Sequence, residues 1–112
     1  MRVEFKAWLY DILNAIHEID SFLSDGPKDL NEYQADIKTK RAVERNLTII
    51  GEAMNRILKV DGDFEITHAR KIVDFRNRAI HGYDSLADGA IWEIVSKFMP
   101  LLEKEVSSLL NE

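Results

Sequence analysis

Apolar residues recur at steps of three and four along almost the whole chain, and that period decides what it can fold into. Phe5, Trp8, Ile12, Ala15, Ile16, Ile19, Phe22 and Leu23 form a first stripe of this kind, the apolar face of an amphipathic helix. Gly26-Pro27 ends it, because proline has no N–H to offer the helical ladder. Asp29 followed by Glu32 is a capping pair for a second helix. Its stripe of Ile37, Val43, Leu47, Ile50, Met54 and Ile57 runs on to the break at Asp61-Gly62-Asp63. A third helix begins near Thr67, turns Ile72, Val73 and Phe75 inward and ends with Gly82 as its left-handed C-terminal residue. Ser85 with Asp88 opens a fourth, which carries Leu86, Ala90, Ile91, Ile94, Val95, Phe98, Leu102, Val106, Leu109 and Leu110. Pro100 should bend that helix, since it deletes the backbone bond to the carbonyl of Ser96. No segment alternates with period two for long enough to make a strand. The expected fold is all-α, an antiparallel four-helix bundle with or without an additional short helix. At 112 residues it is one domain, 1–112, burying about 65% of its unfolded surface.

Two features go beyond a simple bundle. Leu9, Tyr10, Ile49, Ala53 and Leu101 widen the stripes past one face, an excess that a second copy of the chain would cover, so a homodimer is expected. Gly51 interrupts an otherwise strong helix at a cost of about 1 kcal/mol against alanine. Its presence predicts a close approach of something to the backbone there, most simply a neighbouring helix.

Composition removes several chemistries. The chain has no cysteine, hence no disulfide framework, no thiolate nucleophile and no cysteine-ligated zinc. Asp61-Gly62-Asp63-Phe64-Glu65 starts like a calcium loop but has Ile66 and Ile72 where that loop needs glycine and glutamate, so it reads as a solvated turn. The histidines His17, His68 and His81 lack the i, i+4 histidine partner of a zinc helix, and neither a glycine-rich phosphate loop nor a Gly-x-Ser-x-Gly elbow occurs. No metal and no cofactor are expected. Apolar runs are too short to span a membrane, and Glu4 and Asp11 stand where a secretory signal would be apolar; the expected location is cytoplasmic. A net charge of −5 argues against indiscriminate nucleic-acid binding. Cations nonetheless cluster locally, at Lys38 to Arg45, including Arg41, and again between His68 and His81. The first cluster is either a phosphate-contacting face or a solvated one.

The densest chemistry lies in Asp74-Phe75-Arg76-Asn77-Arg78-Ala79-Ile80-His81-Gly82-Tyr83. On a helix Asn77 and His81 share a face, while Arg76 and His81 are separated by roughly 140° around the axis, a gap that arginine's length partly closes. A histidine in the last turn is favoured as the imidazolium by the helix dipole. Arginine, asparagine and a partly protonated histidine at one helix end are the groups that hold a phosphodiester and move a proton. The same residues also suit an ordinary surface helix terminus with a stabilising C-terminal cation. Residue types alone leave both readings open.

The run Arg76 to Tyr83, with arginine, four residues, histidine, one residue and tyrosine, resembles the motif of HepT-like proteins in the HEPN superfamily, small helical toxins paired with a minimal nucleotidyltransferase (MNT) antitoxin. Ala42 to Ala53, with Arg45-Asn46 and Gly51-Glu52, is similar to that family's second helix, and Ile91 to Val106 carries its tryptophan, proline and paired leucines. The resemblance covers nearly the whole chain. It implies a toxin of a toxin–antitoxin system that is a metal-independent endoribonuclease acting on RNA. His81 would be the general acid/base at the RNA 2′-hydroxyl, Arg76 would stabilise charge on phosphorus, and Asn77 would orient His81 or the phosphate. Arg78, Arg45 and Arg41 are the further phosphate-binding candidates. Tyr83 matches the tyrosine to which the antitoxin transfers AMP, and it suits the acceptor role because cationic Arg76 and Arg78 nearby can hold the nucleotide phosphates. The alternative is a catalytically inactive HEPN subunit that only binds, or is adenylylated by, its partner nucleotidyltransferase; the acidic net charge favours it and the intact Arg76/His81 pair opposes it.

Overall fold

The computed structural model describes residues 1–80 and 88–112, except the side chains of Ala79 and Ile80. The expected His81, Gly82, Tyr83, Ser85 and Leu86 features lie outside the described residues. Everything regular within them is helical: α1 (Val3–Ser24), α2 (Leu30–Ala35), α3 (Ile37–Val60), α4 (Ala69–Ile80), α5 (Asp88–Glu93) and α6 (Met99–Leu110), with a π-helical turn, Ile94–Phe98, joining the last two. α1 packs on α3 and α6, α3 on α4, and the short α2 bridges α3 and α5. The all-α bundle with one additional short helix is thus the observed architecture.

The core follows the predicted stripes. Ile12, Ile16 and Ile19 of α1 close against Val43, Ile50, Met54 and Ile57 of α3, with Val73 and Phe75 of α4 and Ile91, Leu102 and Val106 completing the interior. Phe5 meets Phe64 edge-on at 5.3 Å, which places the start of α1 beside the end of α3. Leu9 and Ala53, expected on a second apolar face, are instead buried inside this chain, whereas Tyr10 (53% exposed) and Leu101 (39%) do face outward. Ile37, counted in the α3 stripe, is 66% exposed.

Two local differences from the sequence-based expectation have clear causes. The second helix does not run unbroken from Asp29. Asp29 caps only α2, accepting from the backbone N–H of Glu32 at 2.9 Å. Asp36 then starts α3 afresh, accepting from the N–H of Thr39 at 3.0 Å and from its hydroxyl at 2.7 Å. A side chain that captures a free N–H at each helix start makes the break between the two helices cheap. Near Pro100 the strain is absorbed upstream: the ladder widens into the π turn, where the N–H of Met99 bonds to the carbonyl of Ile94. A wide turn is one of the few ways a helix can absorb a missing bond without ending.

The α2–α5 contact buries a phenol. Tyr33 is fully buried against Trp92, ring centres 5.3 Å apart, and burial, with Glu44 and Asp88 nearby, pushes its hydroxyl well above the usual tyrosine range. Lys40 clamps the same corner by an ion pair to Asp88 at 2.9 Å.

The hydrogen bonds from Thr39 hold the carboxyl of Asp36 below its ordinary range. A depressed carboxylate contributes stability above its unfolded-state pKa, and that contribution is lost as pH falls through its folded value. Asp36→Ala should therefore lower the urea midpoint at neutral pH, with the gap to wild type closing below the usual carboxylate range. Asp36→Asn, which still caps, should stay closer to wild type. An Asp36→Ala midpoint equal to wild type at neutral pH would show that the cap does not hold the α2–α3 break.

Candidate functional site

Arg76, Asn77 and Arg78 lie in the last turns of α4, and their setting is decided by Gly51 in the middle of α3. A Cβ built on Gly51 would collide with the Cβ of Arg76 and would stand 3.0 Å from its Cγ and 3.1 Å from the carbonyl oxygen of Ile72. The absent side chain is what lets α4 press its backbone and the stem of Arg76 onto α3. This is the close approach by a neighbouring helix that the glycine predicted.

Held this way, Arg76 is half-buried and its Nε is sealed from solvent without a hydrogen-bond partner among the described residues. The outer end of the guanidinium is tethered sideways: Nη1 donates to Oδ1 of Asn77 at 3.1 Å. Among the described residues no carboxylate pairs with Arg76. A guanidinium whose stem is packed and whose charge no described carboxylate offsets is set up to take an external anion. Asn77, expected to orient His81 or the phosphate, has its contact among the described residues with Arg76.

The other candidate cations divide. Arg78 is exposed. Arg41 is engaged by Glu44 at 2.7 Å on an exposed face, whereas Arg45, one turn further along α3, is exposed and has no ion pair among the described residues. His81 and Tyr83 lie outside the described residues. The other two histidines have structural surroundings: His17 Nε2 lies 3.3 Å from a carboxylate oxygen of Glu103, and the ring of His68 packs on Phe98. Among the described residues no group of three or more histidine, aspartate or glutamate side chains is placed to hold a metal ion, and no helix is long and apolar enough to cross a membrane.

Sequence reasoning noted Asn46 only within the Arg45-Asn46 pair and not as an inward-facing residue. It is the buried polar side chain of α3, 5% exposed, and its Nδ2 donates to the carbonyl of Ala42 at 3.1 Å. It stands three residues after Val43 and four before Ile50, both core residues, so the apolar period could have flagged it as a polar residue on an inward face.

A family model described as Ribonuclease HepT-like matches residues 12–109. The chain is 35% identical over 107 residues to the inferred RNase MJ1380 of Methanocaldococcus jannaschii, covering 92% of this chain and 94% of that protein. It is 31% identical over 113 residues to the probable ribonuclease HepT of Thermococcus cleftensis, covering 97% and 98%. No solved structure matches it.

Gly51→Ala puts two effects in opposition. Alanine gains about 1 kcal/mol of helix propensity, but the new methyl must displace the Arg76 stem and the α4 backbone. Overpacking of this kind costs about 1–3 kcal/mol, and backbone on one side leaves little room to yield. The variant should therefore unfold at lower urea than wild type. A variant more stable than wild type would mean that α4 yields freely and that Gly51 does not set Arg76.

Proposed function

The chain belongs to the HepT-like family of the HEPN superfamily, and from that membership we propose that it is a metal-independent endoribonuclease built around Arg76 and His81. The observation that carries the proposal is the state of Arg76: packed against Gly51, tethered by Asn77 and without a carboxylate partner among the described residues. In the proposed reaction the RNA 2′-hydroxyl attacks the adjacent phosphorus, and His81 accepts its proton. The bond to the departing 5′ oxygen breaks, that oxygen takes up a proton, and a 2′,3′-cyclic phosphate forms. Arg76 offsets the charge that builds on the phosphoryl oxygens, Asn77 keeps the guanidinium aimed, and Arg78 and Arg45 steer the RNA backbone.

The net charge of −5 bears on how RNA is held. We propose a homodimer in which the α4 ends of two copies face one another, since the five-residue spacing sets Arg76 and His81 on different sides of one helix. Such a cleft would gather the cations of both chains on an otherwise acidic protein. Tyr83 is proposed as the site at which a cognate MNT nucleotidyltransferase attaches AMP, turning the toxin off. The same acidic charge favours the second reading, an inactive subunit that is only bound or adenylylated by that partner.

One assay separates the two. With RNA in excess chelator, the wild type should cleave, His81→Ala should lose activity, and Arg76→Ala should fall by about a hundredfold or more, as for removal of a transition-state charge donor. Both variants should remain folded by circular dichroism. Folded His81→Ala cleaving at the wild-type rate would remove His81 from the reaction, and a wild type without cleavage would favour the binding-subunit reading. After co-expression with the nucleotidyltransferase, added AMP should be found on the wild type and not on Tyr83→Phe; a mass increase that persists in the variant would place the acceptor elsewhere.

A further inference from the structure

At the opposite end of α4 from the Arg76 turn, three unusual features meet. His68, whose carbonyl accepts the N–H of Ile72 at the start of α4, has a positive φ of 63°, a left-handed conformation that costs a non-glycine residue about 1–3 kcal/mol. Its ring packs on Phe98 with centres 4.6 Å apart, and the Lys71 ammonium lies over the same ring, 5.1 Å from its centre. Phe98 closes the π turn, a wide turn of the kind that often marks functional sites. Between these parts opens a pocket of about 100 Å³ with Ile50, Phe75, Ile94 and Leu102 among its walls.

Its chemistry narrows what it can take. The walls are apolar, so the hydrogen-bonding edges of a nucleobase or sugar would go unmet there at substantial cost. A cavity of about 150 Å³ with such walls accepts benzene; at about 100 Å³ this pocket takes no more than one ring, with part of the ring left at the rim. Among the described residues no acidic residue lines the pocket, and the lining residues that carry polar groups are Lys71 and His68, with the Lys71 ammonium over the Phe98 ring at the rim. We propose that this pocket binds a small aryl carboxylate, its ring between Phe75 and Ile94 and its carboxylate at the rim on Lys71, with His68 donating a second contact. The left-handed turn holds the imidazole over Phe98 at that rim instead of letting it follow the helix outward. The proposal is independent of the nuclease reading, for it uses neither Arg76 nor His81.

The test is an NMR titration of the full chain with phenylacetate, benzyl alcohol and benzylamine, which share a ring and differ in charge. Phenylacetate should give saturable shifts centred on the methyls of Ile50, Ile94 and Leu102, and should bind more tightly than benzylamine by about fivefold, the most that one partly exposed ion pair allows. Lys71→Met keeps the stem and removes the charge at an exposed position. It should weaken phenylacetate about fivefold and leave benzyl alcohol within about twofold, the ring's contacts being unchanged. Absence of saturation, shifts spread over the surface, or equal affinity for the three probes would overturn the proposal. So would affinity that falls as rising protein concentration drives self-association, because the pocket would then be covered by a second copy.

Discussion

The site depends on a side chain that is not there. Gly51 sits in the longest helix, where alanine would be the better helix former, and the contact it permits sets both the approach of α4 to α3 and the position of the Arg76 stem. A helix pair that meets through backbone leaves no space to absorb a methyl group, so the position of the arginine is inherited from the packing of the bundle. Catalytic groups are held best when scaffold packing locks their rotamers. Here one glycine does the work for which a loop-borne site would need several ordering contacts.

The electrostatics are arranged around the same point. Two cations of α3 are engaged by carboxylates, Lys40 by Asp88 and Arg41 by Glu44. Among the described residues Arg76 has a neutral amide as its neighbour. An amide oxygen fixes the direction of a guanidinium without neutralising it, whereas a carboxylate would compete with phosphate for the same N–H groups. That difference is why Asn77 suits the position beside Arg76.

Much of this was legible in the sequence, because helical period is a property of residue spacing and survives tertiary context. The stripes through Ile12, Ile16, Val43, Ile50, Met54, Ile91 and Leu102 are the core, and the cost of Gly51 announced a contact before its partner was visible. What the sequence hid were features that depend on neighbours. Asp29 and Asp36 are both competent caps, and only the packing of Tyr33 against Trp92 makes a separate α2 worth forming. Pro100 announced a disturbance without saying that it would appear as a π turn ending two residues earlier, at Phe98. Leu9 and Ala53 looked surplus to one face because the number of faces α1 and α3 bury depends on how many helices surround them. His68 drew notice in the sequence only for lacking a metal-binding partner, since neither its left-handed backbone nor its stacking on Phe98 leaves a trace in residue spacing.

The claim on which the account rests is that this chain uses the substrate's own 2′-hydroxyl as nucleophile. Mass spectrometry of the ends left on an RNA oligonucleotide cut by the purified protein in excess chelator tests it directly. The account predicts a 5′-hydroxyl fragment and a partner ending in 2′,3′-cyclic phosphate or its hydrolysed 3′-phosphate, with no cleavage where the 2′-hydroxyl is replaced by hydrogen. Fragments carrying 5′-phosphate and 3′-hydroxyl ends, or cleavage that proceeds unchanged at a 2′-deoxy position, would contradict it.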